Sequence, residues 1–335
     1  MNIKMDKAVV YGLGIEGRNI VESMYGLEEE LGLEIVALVD KAEVKKEFRY
    51  PVYKPDSLLG MPYDYVLVTA QRYYDEIKKE LIEKYAVKQE QIFLWHNWLV
   101  GRGKRRYYCN VCSHDMPLML KAGYESPVFS VKKIVGGGSR DAVVCPFCHS
   151  YDRNRWVQYV LEHKTEIYER QSKILHFAPE TMIEQKLRAV HQGEYITADI
   201  NAVGVDRIED ITDISFADGI FDYIICNHVL EHIKAEEKAL SELKRCLKDD
   251  GKIIFSVPIC WEEKTVEDER IHTDEQRLME YGQEDHVRLY GNDLKERLEK
   301  SGFRVILCRV DRELTGEQIE HMRLLVEDTV WILEK

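Results

Sequence analysis

Short apolar strands alternate with helices in two separate stretches of this chain, and this alternation limits its fold more than any other feature. Elements predicted in residues 1–100 are strands Lys7–Tyr11, Glu34–Asp40, Tyr63–Ala70 and Gln91–Trp95, and helices Glu16–Met24 and Tyr74–Tyr85. Such alternation is typical of a parallel sheet covered by helices. We therefore expect an α/β protein whose first domain, residues 1–100, is a half-Rossmann unit.

The alternation resumes in residues 157–335, which we predict to be a second α/β domain. Its predicted strands are Lys173–Phe177, Glu194–Asp199, Tyr223–Cys226, Lys252–Val257, Phe303–Val310 and Thr329–Leu333, and its helices Thr181–Val190, Lys234–Leu247 and Gly291–Ser301. Between the two stretches, residues 101–156 break the pattern and predict a small separate module.

Composition limits the partners of the chain. Its 335 residues carry a net charge of −13, which works against binding to nucleic acid or to an anionic membrane, because both are negatively charged. No apolar run approaches the roughly 20 residues that span a bilayer, and Met1–Lys7 has no apolar core of a signal peptide. We expect a soluble, cytoplasmic protein without a membrane span.

Acidic residues follow the first two strands of the second domain. His176-Phe177-Ala178-Pro179-Glu180 ends the first strand, and Asp199-Ile200-Asn201 ends the second. Ligands of open α/β sheets bind beyond the carboxyl ends of the strands. The interval from Glu180 to Asp199 is the one at which an acidic residue meets ribose hydroxyls, and a carboxylate can accept hydrogen bonds from both of them.

Two further motifs complete a recognisable pattern. Phe221-Asp222 leads into Asn227-His228-Val229-Leu230-Glu231-His232, and Leu247-Lys248-Asp249-Asp250-Gly251 forms a turn before the next strand. With these motifs, residues 173–310 resemble the class I S-adenosylmethionine-dependent methyltransferases. The resemblance implies a Rossmann-like domain with a seven-stranded sheet, an antiparallel last strand and S-adenosylmethionine as cofactor.

The resemblance also implies roles for individual residues. Asp199, next to Ile200, would bind the ribose hydroxyls, and Asp210 the adenine amino group with Ile211 beside the ring. Asn227 and His228 would border the methionine end of the cofactor. The family's glycine-rich first loop is replaced here by His176, Phe177, Ala178, Pro179 and Glu180, a loop without glycine that we still expect to contact the cofactor.

Three histidines are candidates for the general base. Methyl transfer is an in-line displacement, and a hydroxyl acceptor benefits from a base whose pKa lies near neutrality. The candidates are His228, His232 and His286. Alternatively, His232 has a structural role in stabilising its own helix, and His286 caps and holds in place the helix that follows it. The long polar stretch Trp261–Glu284 before His286 is interpreted as a lid.

Two C-x-x-C pairs, Cys109/Cys112 and Cys145/Cys148, predict a four-thiolate site in residues 101–156. Four sulfur ligands suit a structural Zn²⁺, with iron as the alternative. This zinc-ribbon-like module contains ten Lys or Arg residues and four Asp or Glu residues. The metal either stabilises a short connecting segment, or the basic residues, Arg153 and Arg155 among them, bind an anionic substrate. The module resembles the zinc knuckle that precedes certain bacterial methyltransferase domains. We expect Cys226, Cys246, Cys260 and Cys308 to be core residues.

A glycine loop lies near the start of the chain. Gly12, Gly14 and Gly17 form a G-x-G-x-x-G motif between a strand and a helix, and Asp40 ends the next strand. That context favours a nucleotide site. Residues 7–95 resemble the N-terminal domain of bacterial sugar acyltransferases, which implies a nucleotide-sugar ligand. The alternative is a degenerate fold that only packs or forms a homodimer.

The leading hypothesis is a methyltransferase of glycan biosynthesis. It would move a methyl group from S-adenosylmethionine to an oxygen, less readily a nitrogen, of a sugar, a nucleotide-sugar or a glycan-linked anion. One alternative is a zinc-knuckle RNA methyltransferase, which the net charge disfavours. The other is a non-catalytic nucleotide-binding or scaffold protein.

Overall fold

A computed structural model describes residues 5–201 and 203–335. Within them the chain forms two compact units, and each unit is built from several separate segments of the sequence. The first comprises the described residues up to Tyr108 with His114–Ala122 and Arg140–Phe147, and the second comprises Cys109–Ser113, Gly123–Ser139 and Cys148–Lys335. The three-domain division at 1–100, 101–156 and 157–335 stays a prediction.

The first unit is built on a parallel sheet in the order β3-β2-β1-β4-β5. Its strands are β1 (Asp6–Tyr11), β2 (Leu33–Val39), β3 (Val52–Tyr53), β4 (Tyr65–Val68) and β5 (Ile92–Leu94), and its helices α1 (Ile15–Met24), α2 (Glu28–Leu31), α3 (Tyr74–Tyr85) and α4 (Trp95–Leu99). Apolar side chains of β1, β2 and β4 form the core with Leu81 and Tyr85 of α3. The predicted alternation of strands and helices is confirmed here.

The cysteine-bearing stretch contributes short strands. They are β6 (Tyr107–Cys109), β7 (His114–Met116), β8 (Leu120–Ala122), β9 (Ile134–Val135) and β10 (Arg140–Val144). β6 pairs with β7, and β10 pairs with β8 in antiparallel fashion. Single 3₁₀ turns occur at Pro55–Leu59, Gln71–Tyr73, Gln89–Gln91, Pro127–Ser130 and, in the second unit, Leu230–His232.

The second unit contains a larger sheet between helices. Its helices are α5 (Asp152–His163), α6 (Thr181–Val190), α7 (Glu236–Cys246), α8 (Asp274–Tyr281), α9 (Leu294–Lys300), α10 (Val310–Glu313) and α11 (Gly316–Met322). Its strands are β11 (Lys173–Phe177), β12 (Glu194–Asp199), β13 (Arg207–Ile208), β14 (Phe221–Asn227), β15 (Leu247–Ser256), β16 (Ile259–Cys260), β17 (Tyr290–Gly291), β18 (Arg304–Arg309) and β19 (Thr329–Glu334).

Seven strands of the described residues form that sheet, in the order β13-β12-β11-β14-β15-β19-β18. The first five are parallel, and β19 is antiparallel to both of its neighbours. The predicted seven-stranded, mostly parallel sheet with an antiparallel last strand is confirmed. Buried positions run almost without interruption along β14, as expected for a strand with helices on both faces.

The strand order reverses at β11, which pairs with β12 on one side and β14 on the other. Phe177 at the end of β11 lies opposite Ala198 of β12 and Cys226 of β14. The segments that follow these three strands therefore meet at one edge of the sheet. Such a reversal opens the crevice in which α/β proteins bind ligands.

A satellite core fixes the segment between β15 and α9. β16 pairs with β9 and with β17, and Cys260, Tyr281 and Leu289 pack with Val128 and Ile134. The stretch interpreted as a lid is thus anchored at both ends, and its role in closure stays a prediction. Cys226, Cys246, Cys260 and Cys308 are all buried, as predicted. No helix among the described residues is long and apolar enough to cross a membrane.

Candidate functional site

The loop after β11 makes its turn without glycine. Ala178 takes a left-handed backbone conformation, with φ of 46°, and its amide donates a 2.8 Å hydrogen bond to the carbonyl of Ala198. Glycine adopts this region freely, whereas a residue with a Cβ does so only when its surroundings hold it there. The hydrogen bond to β12 supplies part of that restraint.

His176 and Glu180 form a pair inside this loop. His176 is fully buried, with Nδ1 2.8 Å from the Tyr195 hydroxyl and Nε2 3.0 Å from Glu180 Oε2. Burial alone would raise the pKa of Glu180, but the hydrogen bond and charge of His176 bring it below its ordinary value. Both ring nitrogens of His176 are engaged, so it acts by orienting Glu180. Phe177 packs in the core, and its contact with the cofactor stays a prediction.

Two predicted cofactor carboxylates share one local geometry. Asp199 Oδ1 accepts a 2.8 Å hydrogen bond from the Asn201 amide, and Asp210 Oδ1 accepts one of 2.8 Å from the Thr212 amide. Hydrogen bonds from the Thr212 amide and hydroxyl lower the pKa of Asp210. Each carboxylate is thereby oriented by the residue two positions further along the chain.

The apolar residues next to these carboxylates differ in exposure. Ile200 is 67% exposed at the end of β12, whereas Ile211 is 4% exposed and belongs to the core of the second unit. Ile200 is therefore the one whose side chain is accessible to a ligand. The role of Ile211 beside an adenine ring stays a prediction.

Asn227 and His228 lie where β14 ends. Asn227 is buried and accepts a 2.8 Å hydrogen bond from the Ser256 hydroxyl, while its Nδ2 has no partner among the described residues. His228 takes a left-handed conformation, with φ of 53°, and its amide donates to the Ser256 carbonyl at 2.8 Å. The strained turn presents the His228 ring, which is 28% exposed, beyond the strand end.

The three candidate histidines converge on one glutamate, Glu231. His228 Nδ1 lies 3.1 Å from Glu231 Oε1, and ligand atoms of Glu231, His232 and His286 all lie within 4.8 Å of one another. Burial would raise the pKa of Glu231, but the His228 hydrogen bond and the histidine charges lower it. The pKa of His286 is lowered, chiefly by burial.

Glu231 was not among the residues predicted from the sequence. Its position three residues after His228, in a turn that follows a strand, is the local signal that pairs the two side chains. The approach of His286 has no local signal, because that histidine lies 55 residues further along the chain. The amide of Val287 next to it donates to the Glu231 carbonyl at 2.8 Å and brings the segment in. Arg288, fully buried, then donates to the Leu230 and Ile233 carbonyls.

Residues 148–307 match the family model of a methyltransferase domain. This chain is an S-adenosylmethionine-dependent methyltransferase. The comparison with curated proteins returned no match. Residues 4–93 match a different family model, described as C2185-like, N-terminal.

Solved structures similar to this methyltransferase include a SAM-dependent methyltransferase from Archaeoglobus fulgidus. The two sequences are 16% identical, the match covers 55% of this chain and 94% of that chain, and the TM-score is 0.37. A protein from Pyrococcus horikoshii is 18% identical over 52% of this chain and 88% of its own, with a TM-score of 0.36. The Burkholderia thailandensis 1,6-didemethyltoxoflavin-N1-methyltransferase, solved with 1,6-didemethyltoxoflavin and S-adenosylhomocysteine, is 14% identical over 55% and 78%, with a TM-score of 0.37.

The methyltransferase also carries the four cysteines predicted to bind a metal, Cys109, Cys112, Cys145 and Cys148. Within the second unit the sulfurs of Cys109 and Cys148 lie 3.7 Å apart, and Cys109 is buried. Ser150, which the sequence did not single out, places its hydroxyl 3.2 Å from the sulfurs of Cys109 and Cys148. Two thiols at this separation can bind the same metal ion.

The glycine loop of the methyltransferase is a tight turn. Gly12 has φ of 100°, and a Cβ on Gly17 would lie 2.0 Å from the Gly12 carbonyl oxygen, so both positions require glycine, whereas a Cβ on Gly14 meets nothing. Asp40 accepts hydrogen bonds from the amides of Leu13 and Ala42. Asp40 thus shapes the loop itself, and nucleotide binding there stays a prediction.

The interpretation that Arg155 receives an anionic substrate is wrong. Arg155 is fully buried, and its guanidinium donates to the carbonyls of Ser150, Met322 and Arg323 at 2.8–3.0 Å. A guanidinium committed to backbone carbonyls is not available to receive an anionic substrate. Arg155 instead ties the start of α5 to the end of α11.

Proposed function

We propose that this methyltransferase transfers its methyl group to an oxygen, less readily a nitrogen, of a sugar, a nucleotide-sugar or a glycan-linked anion. The observation that carries the oxygen acceptor is the His228–Glu231 pair beyond β14. A carboxylate on Nδ1 holds an imidazole in the tautomer whose Nε2 can accept a proton, as in other histidine bases. The net charge of −13 supports a sugar acceptor over RNA.

The proposed reaction is balanced with these groups alone. The acceptor hydroxyl gives its proton to His228 Nε2 as its oxygen bonds to the methyl carbon. The bond from that carbon to the sulfonium breaks, and its electron pair stays on sulfur, which yields S-adenosylhomocysteine. Holding the two reactants in line supplies most of the rate gain.

In the proposed cofactor site Asp199 binds the ribose hydroxyls and Asp210 the adenine amino group. Asp199→Ala should weaken S-adenosylmethionine binding about 10- to 100-fold, because hydrogen bonds to a charged group contribute about 1.5–3 kcal/mol. Isothermal titration calorimetry measures this. Asp249→Ala, on an exposed residue of β15, is the matched control and should bind like wild type. Unchanged affinity in Asp199→Ala would contradict the cofactor assignment.

The role of His228 is tested separately from cofactor binding. His228→Gln should lower kcat about 10²- to 10⁴-fold, the usual contribution of a general base, with S-adenosylmethionine affinity within about twofold of wild type. The assay follows S-adenosylhomocysteine release against a panel of nucleotide-sugars and glycans. A variant that keeps full kcat on the accepted substrate would remove His228 as the base, and transfer to RNA instead would remove the sugar acceptor.

We further propose that the four cysteines hold a structural Zn²⁺. Four thiolates without an open position suit a closed tetrahedral site, and the two C-x-x-C pairs together with the 3.7 Å approach of the Cys109 and Cys148 sulfurs support this assignment. The serine hydroxyl of Ser150 beside two of the sulfurs provides the kind of hydrogen bond that tunes metal-bound thiolates.

A further inference from the structure

We propose that Glu231, His232 and His286 bind a divalent first-row transition-metal ion beside the methyl-transfer crevice. One ligand atom from each residue lies within 4.8 Å of the other two. A tetrahedral ion with bonds of about 2.0–2.2 Å holds its ligand atoms about 3.3–3.6 Å apart. Side-chain adjustments of less than about 1 Å therefore close the observed cluster around an ion.

Two atoms of the cluster are buried without a partner. Glu231 Oε2 and His286 Nδ1 receive no hydrogen bond among the described residues, and the two residues are only 1% and 3% exposed. A buried polar atom left without a partner costs about 1–3 kcal/mol. An ion between these atoms would satisfy both at once.

The remaining atoms of the cluster are held as metal ligands usually are. Glu231 Oε1 lies 3.1 Å from His228 Nδ1, and Oε2 is the carboxylate oxygen without a hydrogen bond among the described residues. Asp285 places a carboxylate oxygen 3.2 Å from His232 Nδ1, and the His232 and His286 rings meet edge to face at 4.8 Å. Carboxylates that contact the outer nitrogen of a histidine orient it toward the metal.

The donor set indicates the class of ion. Two imidazoles and one carboxylate suit Zn²⁺, Mn²⁺, Fe²⁺ or Co²⁺ better than Ca²⁺, which prefers six to eight oxygen ligands. Three protein ligands leave a position open, and the His232 side chain is 32% exposed. The role of this site rests on the proposed function. An ion next to His228 would bind the acceptor oxygen and lower the pKa of the acceptor hydroxyl.

The test is a Mn²⁺ titration of the purified full chain loaded with one equivalent of zinc per chain, which four thiolates take up in preference to an open site of two imidazoles and a carboxylate, and from which Mn²⁺ displaces little. The electron paramagnetic resonance signal of free Mn²⁺ should report one bound ion per chain. Glu231→Gln and His286→Gln should each weaken its affinity at least about tenfold. His272→Gln, an exposed histidine before α8, is the matched control and should match wild type.

Folding and cofactor binding are measured on the same samples. His232→Gln changes a partly exposed ligand and should lose Mn²⁺ affinity while keeping the wild-type melting temperature. The metal site can therefore be tested even if the variants of the buried Glu231 and His286 fail to fold. Absence of Mn²⁺ binding to wild type, or equal binding by all variants, overturns the metal site. Normal metal binding without S-adenosylmethionine binding overturns the proposed function alone.

Discussion

At the scale of single residues, the loop after β11 shows how a glycine-free turn is stabilised. Ala178 adopts the left-handed conformation, and the buried His176 fixes Glu180 through a 3.0 Å hydrogen bond. Asn154 contributes a longer contact of 3.4 Å to the other carboxylate oxygen. The loop is thus held by side chains and by its hydrogen bond to β12, without a glycine.

Glu180→Gln should destabilise the fold in a pH-dependent way. The pKa of Glu180 is lowered in the folded state, where burial is outweighed by His176 and the more distant His228. Its carboxylate therefore stabilises the fold above the ordinary glutamate pKa of about 4.3, and this contribution is lost as pH falls through the folded-state pKa. Urea unfolding should show a loss of about 1–3 kcal/mol at pH 7 that shrinks toward about pH 3.

A difference in unfolding free energy that stays constant with pH would contradict this role of Glu180. Glu194→Gln is the matched control, because Glu194 makes an exposed ion pair with Lys173. Exposed pairs contribute about 0–1 kcal/mol, so this control should lose little stability at any pH.

At the scale of elements, the helices and strands whose apolar residues recur at regular intervals could be predicted from the sequence. β11, β12 and α6 begin and end where predicted, since their buried faces are apolar. Helix α5 was missed, because Asp152, Asn154, Arg155 and Gln158 are buried in it and break the polar–apolar pattern. Hydrophobic periodicity cannot reveal a helix that buries charged side chains against backbone carbonyls.

The candidate site was predicted in its parts but not in its assembly. The motif after β14 identified His228 and His232, since both follow a strand end directly. The convergence on Glu231 depends on the segment of His286, which is placed by the buried Arg288 and by long-range backbone hydrogen bonds. Contacts between segments far apart in sequence leave no local pattern to read.

The cysteine cluster is tested at the same scale. Wild type should contain one zinc per chain by elemental analysis, and Cys112→Ser should lose it and melt at a lower temperature, because metal binding contributes folding free energy. Cys246→Ala, a buried cysteine of α7, is the matched control and should keep its zinc. Iron in the purified chain, or a wild type that folds fully without metal, would contradict the zinc assignment.

At the scale of the whole molecule, the two units are not simple consecutive stretches of sequence. The second unit uses Gly123–Ser139 as well as Cys148–Lys335, and β9 from the earlier segment pairs with β16. Within the later segment, α5 runs through the domain boundary predicted after residue 156. A boundary placed by composition alone can therefore divide a packed helix.

Truncation at that boundary tests the consequence. A fragment of residues 157–335 lacks Trp156, which is fully buried and donates to the Cys308 carbonyl, and Arg155, which satisfies three carbonyls. Loss of a buried tryptophan alone costs about 3–5 kcal/mol, a large part of the 5–15 kcal/mol by which domains are stable. Compared with a fragment of residues 148–335 and with the full chain, the shorter fragment should melt at least about 10 °C lower by circular dichroism. Equal melting temperatures of the two fragments would show instead that the predicted boundary is correct and that the first turn of α5 adds no stability.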